Sequence, residues 1–224
     1  MMFLLYLCSL STFSRLFSPP SIMSVLLDPR YFPVFRLLPP DCDILEAMMA
    51  ISQGAPINPT YHWCFMGEIV DDTLAKVSFL RHRLLVRDRE GLELPVLFYL
   101  SAGDNLDTSH LKAGHTIFVR YAQHHWFLDL TEGIRVEETA FFYVVPYSLS
   151  AILDTHSALI PGVCKSCGNQ ASQRCAKCKQ TYYCSRECQT SNWSHHRTAC
   201  RLLTTVAPVT TLDYTQLDRY VPFS

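Results

Sequence analysis

The stretch CKSCGNQASQRCAKCKQTYYCSRECQTSNWSHHRTAC, residues 164–200, decides the architecture of the C-terminal part of this chain. Its metal-ligand side chains run Cys164-x2-Cys167-x7-Cys175-x2-Cys178-x5-Cys184-x3-Cys188-x7-His196-x3-Cys200. Gaps of two or three residues within the cysteine pairs let neighbouring thiolates reach one tetrahedral ion, and eight ligands make two closed zinc sites. A closed site leaves no position for a metal-bound water, so such ions build a fold and perform no reaction. A disulfide scaffold is the competing reading. It is disfavoured by the ligand-type His196, by C-x2-C pairs too close for easy bridging, and by confinement of seven of the ten cysteines to this run. A segment this short cannot bury a core of its own. Metal binding and folding are therefore one event, worth on the order of 10–16 kcal/mol per structural site.

The order and gaps resemble the MYND zinc finger, whose pattern is C-x2-C, C-x2-C, C-x3-C, H-x3-C. Tyr182, Tyr183, Cys184, Ser185, Cys188, Gln189, Trp193 and His196 stand where that family's signature places them. RING and PHD fingers put their histidine at the fourth or fifth ligand, whereas here it is the seventh. The resemblance implies interleaved ligands: Cys164, Cys167, Cys184 and Cys188 on one Zn²⁺, and Cys175, Cys178, His196 and Cys200 on the other. The i, i+4 spacings of Cys184 with Cys188 and of His196 with Cys200 agree with that split, since on short helices both members of a pair share one face. His195 breaks the register and is expected to be a solvated neighbour. Fingers of this family hold short proline-containing peptides in a shallow groove. The resemblance therefore implies contact positions at Gln189 and Trp193, and less specifically at Ser172. Trp193 could equally be the small core of a tiny domain.

Charge separates the candidate partners. The finger carries six basic residues against Glu187 alone, and two zinc ions with seven thiolates bring its net charge to only about +2. That is a poor phosphate-neutralising patch, so protein or peptide is the expected partner and nucleic acid is not.

The chain has 224 residues, 49% hydrophobic and 17% charged, which is enough for one ordinary domain beside the finger. Its fold class is expected to be α+β, with a small β-rich N-terminal domain and a finger with short helices. Strands are expected at Trp63–Val70, Arg83–Arg87, Leu94–Leu100, Thr116–Tyr121, Trp126–Leu130 and Phe141–Val145. Hairpin turns are expected at Asp88-Arg89-Glu90-Gly91 and Thr131-Glu132-Gly133. With a short helix in Asp104–Lys112, this resembles a Greek-key barrel of the OB type. Between Tyr61 and Val145 there are 8 basic and 12 acidic residues, a net of −4 that would repel a phosphate backbone. Tyr121 and Trp126 therefore read as barrel core rather than as base-stacking platforms. His62, His82, His110 and His115 have no metal-site spacing, nor do His124 and His125, which are expected in a connecting loop. Cys8, Cys42 and Cys64 read as small buried hydrophobes.

The divisions expected are an apolar extension at 1–22, an extended lead-in with a helix over Ile44–Ser52 at 23–60, the β-rich domain at 61–146 and a linker at 147–163. The finger follows at 164–200 and a tail at 201–224. Leu149–Leu153 supplies a helical turn or two in the linker. Met1–Phe17 is too short to span a bilayer convincingly, and its only charge, Arg15, follows the apolar run. A secretory signal, a mitochondrial presequence and a start at Met23 all compete there. Zinc thiolates favour an intracellular location, cytoplasm or nucleus, because an oxidising compartment would turn them into disulfides. No nucleophile elbow, P-loop, dinucleotide glycine fingerprint or H-E-x-x-H motif is present. The SET signature of methyltransferases that carry this finger is also not visible. A non-enzymatic adaptor or scaffold is the leading expectation. The alternatives are an enzyme with an unrecognised site in the β domain and a nucleic-acid module.

Overall fold

The structure, a computed structural model, describes residues 25–41, 60–73, 81–101 and 104–223. The helix expected over Ile44–Ser52, and Cys8 and Cys42, lie outside the described residues.

Seven strands form one mixed sheet: β1 Cys64–Asp71, β2 Arg83–Asp88, β3 Glu93–Phe98, β4 Thr116–Arg120, β5 His125–Trp126, β6 Glu132–Val136 and β7 Phe142–Val145. Their spatial order is β5-β6-β3-β2-β1-β4-β7. Every ladder is antiparallel except β3 with β6, which run parallel. The β2–β3 turn falls at Asp88–Gly91, where the Asp88 carboxylate accepts from the Glu90 and Leu92 amides at 2.9 and 3.0 Å.

The sheet departs from a closed OB barrel. No ladder joins β5 to β7, and the sheet stays open. The chain between β6 and β7 carries exposed Glu137 and Glu138 and then a 3₁₀ turn, Thr139–Phe141, which interrupts the one strand that could have joined both edges. A second correction concerns residues 126–133. β5 ends at Trp126, the reversal lies at Phe127–Thr131, and Glu132 and Gly133 belong to a strand. Gly133 is there for close approach rather than for a turn: a Cβ on it would overlap the Pro95 carbonyl oxygen on β3. His125 likewise pairs within the sheet, opposite Gly133, and His124 bridges to Pro40.

Both faces of β1 and β4 are covered, which explains why they read as continuous apolar runs instead of alternating ones. Phe65, Ile117 and Val119 point into one core with Val86, Val96 and Ile134. Cys64, Met66 and Phe118 point the other way, into a second core shared with Leu26, Tyr31 and Phe32. Tyr121 packs at the margin of the first core, and Trp126 is half-buried. The expected helix in Asp104–Lys112 is a 3₁₀ turn, Thr108–His110, capped by the Asp107 side chain.

The second core also takes residues from beyond the sheet. Helix α1, Leu149–Ser157, has Ser148 as N-cap and buries Leu149 and Ile152, and its first amide donates to the Glu68 carboxylate on β1 at 2.9 Å. Helix α2, Arg186–Thr205, begins inside the cysteine-rich segment and ends by placing Leu202 in this core. The short α3, Ala207–Thr210, and Tyr214 complete it. Among the described residues no helix is long and apolar enough to cross a membrane.

Candidate metal centres

Two knuckles, a two-stranded ribbon and helix α2 carry the eight ligands. In each knuckle the residue four places after the first cysteine donates its amide back to that cysteine's carbonyl: Gly168 to Cys164 at 2.9 Å and Lys179 to Cys175 at 2.8 Å. Both have left-handed backbones, φ 77° at Gly168 and 56° at Lys179. The first position is a glycine, while at the second a lysine accepts the conformation. The ribbon pairs β8, Gln173–Arg174, with β9, Tyr182–Tyr183, and so delivers Cys175 and Cys184 from its ends.

Four ligand atoms converge at each of two places: the sulfurs of Cys164, Cys167, Cys184 and Cys188, and the sulfurs of Cys175, Cys178 and Cys200 with a His196 ring nitrogen. Within each group all atoms lie within 4.8 Å of one another. Cys167 and Cys184 sulfurs are 3.5 Å apart, Cys184 and Cys188 3.5 Å, Cys175 and Cys200 3.8 Å, and Cys178 Sγ lies 3.6 Å from His196 Nε2. A tetrahedral zinc with bonds of about 2.3 Å to sulfur and about 2.0 Å to nitrogen requires edges of roughly 3.8 and 3.5 Å. A disulfide, with sulfurs at about 2.05 Å, requires far less. The residues therefore fit two Zn²⁺ ions, one bound by four cysteines and the other by three cysteines and His196.

The thiols alone show why a cation is needed. Hydrogen bonding with Cys188 and Cys167 pushes the Cys184 thiol up to about 12, and burial followed by the charges of Cys178 and Cys175 pushes Cys200 up to about 12. Neighbouring thiolates repel, so full ionisation of each set depends on the ion they surround.

The expectation of short helices needs correcting. His196 and Cys200 do share a face of one helix, but Cys184 precedes α2 and is followed by its N-cap, Ser185, whose hydroxyl accepts from the Cys188 amide at 3.3 Å. The first site is therefore assembled from a knuckle, a ribbon end and a helix N-terminus. His195 is exposed, and its Nδ1 meets the Ser194 hydroxyl instead of a ligand cluster.

Several supporting contacts are visible only in the structure. Buried Tyr183 donates its hydroxyl to Asn192 Oδ1 at 3.0 Å and packs its ring against His196 at 5.9 Å, tying the ribbon to α2. Gln180 reaches the Leu203 carbonyl and the Thr210 hydroxyl, each at 3.4 Å, and so ties the second knuckle to α2 and α3. The tyrosine belongs to the family signature, whereas nothing in the spacing marks Gln180 or Asn192.

Of the residues expected to contact a peptide, Gln189 and Trp193 both lie on α2, one turn apart. Trp193 is 42% exposed, with its ring 6.0 Å from that of His196. Gln189 directs its Nε2 to the Cys175 sulfur at 3.7 Å. Ser172 is exposed just ahead of β8.

This interleaved two-zinc arrangement defines a closed structural finger. Residues 164–200 match the family model for the MYND finger, a zinc-binding, non-catalytic module of protein–protein interaction. The same segment is 58% identical over 38 residues to Tudor domain-containing protein 1 of Mus musculus and 55% to its Homo sapiens counterpart, covering 17% of this chain and 3% of either relative. A SET and MYND domain-containing protein of Dictyostelium discoideum is 49% identical over 38 residues, covering 17% of this chain and 7% of its own length. The likeness to these three proteins thus covers the finger, a small part of each chain's length.

Proposed function

We propose that this protein is an adaptor or scaffold whose finger captures short, proline-containing peptides across Ser172, Gln189 and Trp193. The observation that carries this reading is the exposure of Trp193. In a module held by two metals and a small buried cluster, 42% of the largest side chain faces solvent beside a ligand histidine. A rigid, half-exposed indole is a favourable platform for a proline ring, because both surfaces are flat and lose little entropy on contact. Both coordination spheres are filled by side chains, so the finger is assigned no reaction. The zinc thiolates favour the cytoplasm or nucleus over an oxidising compartment.

Zinc-loaded protein and its Trp193→Ala variant, both checked for two bound ions, would be tested on an array of proline-containing peptides. Selective binding lost in the variant supports capture. Absence of binding, or binding unchanged by the variant, would leave the finger as a brace for the sheet.

A further inference from the structure

A groove of about 820 Å³ lies between the second zinc knuckle and the C-terminal segment that packs on the sheet. Val25, Tyr31, Ala207, Leu212 and Tyr214 supply apolar walls, while the rim carries Arg174, Lys177 and Lys179. Neither Gln189 nor Trp193 lines it. The three cations are exposed, and among the described residues none forms an ion pair. Arg174 rests on the Tyr182 ring, its guanidinium 4.9 Å from the ring centre. Asp213 is the one acidic residue of the lining, and its carboxylate already accepts from the Thr215 amide at 3.0 Å and hydroxyl at 2.7 Å. The neighbouring three-cysteine, one-histidine centre carries about one net negative charge with zinc bound, which offsets one of the three cations and leaves the rim basic.

We infer that this groove is a second docking site, for an acidic peptide segment of a partner protein that buries large apolar side chains against Val25, Ala207 and Leu212. Charge decides between occupants. The chain's own apolar stretch, Met1–Phe17, contains no aspartate or glutamate and does not complement this rim. An acidic, apolar peptide satisfies both halves of the site: the walls remove its hydrocarbon from water, and the cations meet its carboxylates at the mouth, where they steer encounter and exclude basic sequences. The cations flank Cys178, so the site exists only while the knuckle is folded on its zinc.

The test uses the full zinc-loaded chain and an array of short proline-free peptides that vary independently in leucine, isoleucine and phenylalanine content and in aspartate and glutamate content. The expected result is affinity that rises with both and weakens with added salt. Reversing the rim, Lys177→Glu with Lys179→Glu, lowers affinity about tenfold or more, while Trp193→Ala leaves it unchanged. Leu212→Asp, away from the zinc ligands, should abolish binding, and two bound zinc ions verify that each variant is folded. No preference for acidic peptides, or affinity unaffected by both the reversal and Leu212→Asp, overturns the inference. Loss of all binding with Trp193→Ala would assign the peptides to the first groove and overturn it equally.

Discussion

Gln189 donates from Nε2 to the Cys175 sulfur across 3.7 Å. A residue expected to touch a peptide is therefore also a support of the second zinc centre. Hydrogen bonds to a ligating thiolate orient it and tune its basicity, and their loss costs roughly 10–100-fold in metal affinity. Gln189→Ala is expected to weaken the Cys175, Cys178, His196 and Cys200 site by about tenfold in chelator competition. The site containing Cys164 should be unaffected, and Trp193→Ala should leave both sites intact. Equal zinc affinity in Gln189→Ala and wild type would return Gln189 to a purely peptide-facing role.

Removing both metals should unfold the segment around residues 164–200 without dissolving the sheet. The buried cluster of the finger is built from Leu159, Ala171, Tyr183, Leu203 and zinc-ligand cysteines, whereas β1 to β4 have one apolar core apart from the finger and share a second with the helices that follow. Hydrogen exchange after chelation should show the finger amides losing protection while the β1 and β4 amides stay slow. Simultaneous loss in both would mean that finger and sheet unfold as one cooperative unit.

His156 gives the fold a pH dependence. It is 1% exposed on α1, among the described residues neither ring nitrogen has a hydrogen-bond partner, and burial lowers its pKa to about 4. The unfolded chain titrates near 6.5 and so binds more protons than the folded one below that pH. The stability contribution of neutral His156 is complete above about 6.5 and is lost as pH falls towards 4, amounting to about 3 kcal/mol at the acid limit. Acid also releases zinc, so the comparison is with His156→Leu, which removes this titration alone. The variant's stability should decline less steeply between pH 6.5 and 5. Parallel curves would show that protonated His156 finds a hydrogen-bond acceptor in the folded protein.

Arg120, on β4 and 5% exposed, holds the C-terminal segment with its guanidinium. Nη1 donates to the carbonyls of Val221 and Pro222 at 3.0 and 2.8 Å, Nη2 donates to Pro208 at 2.6 Å, and the group lies 3.9 Å from the Phe223 ring centre. Arg120→Met should cost about 2 kcal/mol in denaturant titrations, since three partly buried hydrogen bonds to carbonyls lose their charged donor together. The amides of residues 221–223 should exchange faster.

Gly133→Ala should cost about 2 kcal/mol or more, because the new methyl would meet backbone oxygen on β3 and the Phe127 ring at 2.9 Å, neither of which can move cheaply. Thermal unfolding of the single variant measures it. A shift of Tm within error would show that β6 and β3 can separate locally.

Part of this was legible in the chain itself. Cysteine and histidine spacing marked all eight ligands, because knuckle and helix-turn separations constrain ligands locally, while their interleaved pairing came from the resemblance to the MYND finger and matches the two clusters. Five of the seven strands lie within or close to the expected runs, since hydrophobic residues between turn signals need no tertiary information. What failed lay where tertiary context overrode a local signal. Gly133 looked like a turn residue and is a packing residue, and Glu132 beside it resembled the rest of the loop. Leu149–Leu153 is part of a full helix because Ile152 and His156 continue its buried face.

The sequence alone determined the two zinc sites, the α+β class and the acidic balance of the β region, all of which follow from residue type and short-range spacing. Tertiary structure alone decided that α2 runs on past Cys200 to place Leu202 against Phe118 and Met66, so that the finger and sheet share a core. It also brought Arg174, Lys177 and Lys179 around one groove with Leu212 and Tyr214. The physical reason is range. Metal ligation writes its requirements into neighbouring residues, but burial depends only on where distant apolar faces meet, and no local pattern records which face will meet which.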